Sequence, residues 1–386
     1  MTAPRLEINL SKIHHNARTL VDKLAKRGIS VTGVTKAVLG SPDIVNALLT
    51  AGVSSLGDAR IENIEAMRRQ HVSAPMILIR SPMLSQVDEV VRQADLSFNT
   101  ELAVITHLSL AAQEAKLTHG VVLMIELGDL REGILPVDLQ NTVRAVLRLP
   151  NIRFRGIGAN LACHSGVSPN ADNMSALSAL AESVEANFGA IELVSGGNSA
   201  NLNWALSGAK TGRINNLRLG ESILLGCETL YRQPIEGLYT DAFTLVAEVI
   251  EAKIKPTRPW GHIAQTAFPS VSPVAYPHGN RLRAILALGH QDVDPSGLIV
   301  PAGLRVLGAS GDHIIIDSDT DALVVGTEIT FGLNYSALIR AMTSPFIAKV
   351  MQTTADGNAL LQKTKDHPAT LAQLDRAFAM ANGTIV

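Results

Sequence analysis

The chain has 386 residues, 46% of them apolar, and its 33 basic and 35 acidic side chains give a formal net charge of −2 at pH 7. That length supplies two domains, or one large barrel with an appendage, and excludes a miniature fold that needs disulfides or a metal for stability. Near-neutral charge, with only 18% charged residues, excludes the electrostatic footprint of a nucleic-acid or anionic-membrane binder and leaves a small-molecule enzyme as the expectation.

Mean hydropathy is +0.20, but no apolar run reaches the ~18 residues of a spanning helix, so no membrane partner is expected. The opening residues lack a basic stretch followed by an apolar one, which reads as a cytoplasmic protein. Cys163 and Cys227 have no metal-ligand spacing and are read as reduced, buried thiols.

In chain order, Leu6–Ile8 reads as a short strand ahead of a helical pattern at 12–27. Eight β-rich runs are then expected at Val31–Ala37, Ser54–Asp58, Pro75–Ile79, Asp95–Phe98, Val121–Leu127, Phe154–Ala159, Ile191–Ser195 and Leu217–Leu224. Helical patterns alternate with them near 42–51, 61–70, 84–93, 101–117, 137–148, 172–187 and 199–207, with Ser11, Ser41, Asn99 and Ser168 as capping residues. Eight strands with intervening helices predict an α/β fold, a (β/α)8 TIM barrel over residues 9–235. Beyond it the pattern turns mainly β, with runs at Phe243–Ile254, Arg283–Leu288, Leu298–Val300, Leu304–Leu307 and Ile314–Asp317. Residues 1–8 and 236–365 are assigned to this β domain, and 366–386 to a C-terminal helical tail.

Active sites of such barrels lie at the C-terminal ends of the strands. Lys36 ends the first run, where burial would desolvate its ammonium, lower its pKa and make it a Schiff-base nucleophile; a loop lysine reaching solvent is the alternative. Ser195-Gly-Gly-Asn-Ser-Ala200 follows the seventh run and the eighth carries Arg218-Leu-Gly-Glu-Ser222, and their glycines, hydroxyls and helix openings suit a phosphate. A lysine opposite a phosphate cradle points to pyridoxal 5'-phosphate.

Eight motifs then carry a resemblance: Glu7-Ile-Asn-Leu10, Gly33-Val-Thr-Lys36, Leu56-Gly-Asp-Ala-Arg-Ile-Glu-Asn63, Glu126-Leu-Gly-Asp-Leu-Arg-Glu-Gly133, Asn160-Leu-Ala-Cys163, Ser195-Gly-Gly-Asn-Ser199, Arg218-Leu-Gly-Glu221 and Gly289-His-Gln-Asp-Val-Asp294. In that order, over roughly residues 5–350, the chain resembles the alanine racemase-like, fold-type III pyridoxal phosphate enzymes, and within them the ornithine racemase branch. The resemblance implies that Lys36 carries the cofactor, that Arg218 faces its pyridine nitrogen and that Arg131 lies near its phenolic oxygen. It implies further that Ser199, Gly220, Ser222 and Tyr335 hold the phosphate, with Asn160, His164 and Asn198 completing the set. A head-to-tail homodimer is implied as well, the β domain of one chain covering the barrel mouth of the other.

The sequence departs from the family at two positions. Gly40 stands where alanine racemases place a tyrosine, and His290 replaces the tyrosine that serves as second base. Histidine retains an acid–base role at neutral pH, so Lys36 and His290 are the expected catalytic pair, with His164 as the alternative to His290. His14 and His15 on the first helix, with His71, His107, His119 and His367 in helix ends or loops, are read as solvated or capping residues, and no metal site is expected.

Asp292 and Asp312 are candidates to pair with the distal ammonium of ornithine or lysine. The expected activity is racemisation of a basic amino acid. A D-amino-acid aldolase or lyase, and a non-catalytic pyridoxal phosphate carrier, are the alternatives.

Overall fold

The computed structural model describes residues 2–268, 279–318 and 323–353. The helical tail expected from 366, and His367, lie outside the described residues. Two compact units divide the rest: residues 13–239, and residues 1–12 together with 240–353.

The chain opens with β1 (Arg5–Asn9) and α1 (Leu10–Ala25), and then alternates strand and helix: β2 (Ser30–Val34), α2 (Pro42–Thr50), β3 (Ser55–Asp58), α3 (Ile61–Arg69), β4 (Met76–Leu78), α4 (Val87–Gln93), β5 (Leu96–Asn99), α5 (Leu102–Ala115) and β6 (His119–Ile125). α6 (Leu139–Val146), β7 (Ile152–Ala159), α7 (Ala171–Phe188), β8 (Leu193–Ser195), α8 (Leu202–Leu206), β9 (Asn216–Leu219) and α9 (Glu221–Leu225) complete this part. Strands β2 to β9 close into a barrel, each pairing in parallel with the next and β2 with β9 from Ser30↔Asn216 to Gly33↔Leu219.

Near-continuous apolar runs are what a sheet covered on both faces demands. Ile77, Leu96, Phe98, Val122, Met124 and Leu193 form a buried cluster, each large side chain contributing ~1.5–3 kcal/mol of burial. The TIM barrel read from the sequence is therefore present with all eight strands.

The other unit is an antiparallel β fold. It contains β10 (Phe243–Pro256), β11 (Asn280–Leu286), β12 (Leu298–Ile299), β13 (Leu304–Ala309), β14 (Ile314–Ser318), β15 (Glu328–Leu333), α10 (Tyr335–Thr343) and β16 (Ala348–Gln352). Its sheet runs β12-β15-β10-β11-β14-β13, and β1 joins it by pairing antiparallel with β10 and parallel with β16.

Several local expectations are corrected. The first barrel strand stops at Val34, so Lys36 opens a 3-10 turn, Lys36–Val38, instead of ending a strand. The last stops at Leu219, and Glu221–Leu225 is helical. Asn170, not Ser168, caps α7 through a capping box with Asn173. Glu101, not Asn99, stands at the start of α5, Ser11 lies inside α1, and Ser41 precedes α2 without a side-chain cap bond. Cys163 is exposed and Cys227 half-buried, because each follows a barrel strand or helix rather than lying within one.

His119 is the clearest reversal: it is the first residue of β6, 1% exposed, with Nε2 2.7 Å from Ser97 Oγ. Burial lowers its pKa from 6.5 to about 4, outweighing the Ala94 carbonyl and the Asp95 charge. The unfolded histidine takes its proton near 6.5, so between about 4 and 6.5 the unfolded chain binds more protons. Stability is full above this window and is lost as pH falls through it, by up to ~3 kcal/mol. Urea unfolding at about pH 7 and about pH 4.5 should show a smaller acid loss in His119→Gln than in the parent; equal losses would contradict the buried neutral histidine.

Candidate active site

The Lys36 turn is fixed from below. Thr35 donates its backbone N–H to the Gly57 carbonyl at 2.9 Å and its hydroxyl to Asp58 Oδ2 at 2.7 Å. Asp58, fully buried at the end of β3, also accepts the Arg60 backbone N–H (2.9 Å) and the Asn63 amide (3.0 Å). Burial pushes the Asp58 carboxyl up, and the Thr35 and Arg60 donors oppose this. Lys36 itself is exposed on this turn.

Downstream, Leu39 and Gly40 turn left-handed at φ 54° and 63°, and a Cβ on Gly40 would lie 3.1 Å from Met67 Cγ and 3.2 Å from the Asn63 carbonyl. That backbone and those close neighbours favour glycine at position 40.

Across the barrel, Arg218 on β9 is buried with neutral partners. Its guanidinium donates to Ser195 Oγ (2.6 Å), the Ala159 carbonyl (2.9 Å) and Asn160 Oδ1 (3.3 Å), and lies 4.9 Å from the centre of the Phe98 ring. Burial pulls its pKa down to about 10, with Cys163 and Glu132 opposing and Arg131 adding to the effect. It therefore stays protonated at neutral pH.

Ser199 Oγ and Ser222 Oγ lie 3.0 Å apart, both buried, and the Ser222 N–H donates to Ser199 Oγ at 3.2 Å. Gly220 starts α9, with its Cα packed so that an added Cβ would sit 3.1 Å from Val34 Cβ. Asn198 caps the turn Ser199–Asn201 and donates its amide to Asn160 Oδ1 (3.0 Å), the Leu161 carbonyl (2.9 Å) and Cys163 Sγ (3.3 Å). The Asn160 amide nitrogen is buried with no hydrogen-bond partner among the described residues.

Asp129 organises this region, although sequence reasoning passed over it. It is 1% exposed and accepts the N–H groups of His164 (2.9 Å), Cys163 (3.1 Å) and Val167 (3.3 Å), pinning the loop after β7 to the loop after β6. Burial acts to raise its carboxyl, yet those amides hold it below the usual carboxylate range. Only its place inside Glu126–Gly133 hinted at this. Arg131 sits two residues on, exposed and paired with Glu132, which holds the guanidinium above its ordinary value.

The remaining candidates belong to the β unit. His290 stacks on Phe268 at 4.1 Å and 18°, its backbone fixed by Ser310 (2.9 Å) and Arg340 (2.7 Å). Asp292 is buried, its two oxygens accepting from the Gly289 N–H (3.2 Å) and Ser344 Oγ (3.0 Å). Asp312 is exposed beside His313 Nδ1 (2.7 Å), and Tyr335 opens α10 half-buried. Lys36, Arg131, Asn160, His164, Asn198, Ser199, Arg218, Gly220 and Ser222 thus lie on loops or strand ends of the barrel unit. His290, Asp292, Asp312 and Tyr335 lie in the other.

Residues 8–227 match the alanine racemase N-terminal domain. The chain is 38% identical over 351 residues to the ornithine racemase of Acetoanaerobium sticklandii, covering 90% of this chain and 99% of the relative. It is also 38% identical over 355 residues to the lysine racemase of Thermotoga maritima, covering 91% and 99%. Among solved structures, alanine racemase from D-cycloserine-producing Streptomyces lavendulae superposes with a TM-score of 0.71 at 19% identity, over 92% of this chain and 99% of that one. D-threonine aldolase from Filomicrobium marinum gives 0.69 at 17% identity, over 91% of both chains. At such identities the superpositions carry the fold.

The left-handed Gly40 makes a direct prediction. Gly40→Ala should destabilise the protein by ~1–2 kcal/mol in urea unfolding, and an unchanged midpoint would contradict the strained turn.

Proposed function

This chain belongs to the alanine racemase family, and from that premise we propose that it interconverts the L and D forms of a basic amino acid, ornithine or lysine. The observation that supports this most is near-full-length similarity to two racemases named for those substrates, combined with a barrel that brings Lys36, Arg218 and the Ser199/Ser222 pair to one end.

The family's cofactor, pyridoxal phosphate, fits the residues present. Ser199 and Ser222 offer buried hydroxyls beside the Gly220 backbone, and the Asn160 amide has an unused buried donor. Arg218 supplies a cation whose protein partners are neutral acceptors. Pyridoxal phosphate, when bound, supplies the electron sink that stabilises a carbanion at Cα.

Lys36 would hold the cofactor and would move the α-proton on one face. His290, brought by the β domain of a second copy in a head-to-tail dimer, handles it on the other. Arg218 would face the pyridine nitrogen, to which a protonated guanidinium could only donate, and would so temper the electron withdrawal that the ring supplies. Asp129 keeps the Cys163–Val167 loop, with His164, in place.

Four experiments test the reading. Cofactor-loaded protein incubated with single enantiomers of lysine or ornithine should yield both, read by chiral chromatography. Lys36→Ala should lose that activity together with the yellow absorbance of the loaded protein. Retained absorbance that borohydride still reduces would place the linkage on another lysine. His290→Ala should slow racemisation ~10²–10⁴-fold and unequally for the two enantiomers; losses within about threefold for both would remove His290 from the reaction. A species that sediments only as a monomer at micromolar concentration would remove its route to the site.

A further inference from the structure

A racemase of ornithine or lysine must admit one more cation, the substrate's distal ammonium, to a site that already carries Lys36, Arg131 and Arg218. Such a charge is disfavoured near guanidinium groups unless a carboxylate offsets it. Most carboxylates of the site loops are committed to the fold. Asp58 serves Thr35, Arg60 and Asn63; Asp129 serves three backbone amides; and Glu126 Oε1 accepts the N–H groups of Gly128 and Leu130. Withdrawing any of these would leave buried or turn-forming donors unpaired.

Glu132 differs. Among the described residues its partner is the Arg131 guanidinium, met through Nε and a terminal nitrogen, and the two side chains are 28% and 41% exposed. An ion pair so exposed adds little to stability, so it can exchange partners cheaply. A carboxylate offers about four acceptor positions, and the guanidinium fork fills two.

The pair is also held in place. Glu126 N–H donates to the Ile134 carbonyl at 3.0 Å and Ile134 N–H to the Met124 carbonyl at 2.8 Å, closing the excursion at its base. Gly133, at φ 159°, passes so close that a Cβ there would lie 2.3 Å from Glu126 N, which admits only glycine. The charge of Glu132 also reaches Arg218, whose protonated form it favours.

We propose that Glu132 is the specificity-determining residue of this site, receiving the distal ammonium of a basic substrate alongside Arg131. This rests on the racemase reading above. It moves the role away from Asp292, a buried carboxylate of the other unit, and from the exposed Asp312 there.

The test compares L-lysine and L-ornithine with their neutral des-amino analogues L-norleucine and L-norvaline in cofactor-loaded wild type, Glu132→Gln, Glu132→Asp and Asp312→Asn. Two quantities are measured, kcat/KM and the Kd from titrating the visible spectrum. Glu132→Gln should lose about 10–100-fold in kcat/KM on the basic substrates, with a matching rise in their Kd, and stay within about threefold on the neutral ones, while Glu132→Asp recovers most of the preference. Equal losses on both classes would reduce Glu132 to a support for Arg131 and overturn the proposal. So would a preference lost in Asp312→Asn and kept in Glu132→Gln. If wild type racemises none of these amino acids, the racemase reading falls. The titration then decides alone, and undiminished lysine preference in Glu132→Gln overturns the assignment.

Discussion

A guanidinium sealed inside a parallel barrel, with neutral oxygens as its partners, is the constraint around which the rest is arranged. Arg218 reaches Ser195 on β8, Ala159 at the end of β7 and Asn160 just beyond it, so three successive strands are tied at the end that carries the site. Keeping the positive charge there costs desolvation, visible in the fall of its pKa to about 10. Neutral acceptors return only part of that cost, and a bound group able to accept from the guanidinium would return more. The chain invests stability in an arrangement that makes sense for binding.

The supports of that arrangement are carboxylates acting on backbone. Asp129 gathers the amides after β7, Asp58 anchors the turn that presents Lys36, and Glu228 accepts the N–H groups of Leu230, Tyr231 and Gln233 downstream of β9. Each replaces water around loops that cannot pair in the sheet. The loops are therefore rigid where the reactive side chains stand, which is what positioning a proton donor or acceptor requires.

The barrel is legible because eight apolar runs separated by helical periodicity leave few other topologies, and the motifs name Lys36, Arg218 and the serine pair as candidates at its strand ends. Details that depend on tertiary neighbours are not. His119 looks like a helix-end histidine in sequence, and only its register against Ser97 shows that it is buried. The role of Asp129 needs the loop after β7 folded back onto it, 34 residues away from Cys163. β15 escaped notice although its buried residues alternate as Ile329, Phe331 and Leu333, and β16 is a five-residue run with only its pairing to β1 to define it. Cap residues were misplaced by one or two positions because Ser, Asn and Asp cluster ahead of several helices, and backbone direction chooses among them.

The central claim is that this chain exchanges the α-proton of a basic amino acid. Proton NMR of L-lysine or L-ornithine in D₂O with the cofactor-loaded protein tests it most directly. Loss of the α-proton signal, with deuterium at Cα in both enantiomers and the side chain intact, is the result expected of a two-faced racemase. An α-proton signal that persists at catalytic enzyme concentrations, or a side-chain fragment released without such exchange, would contradict it.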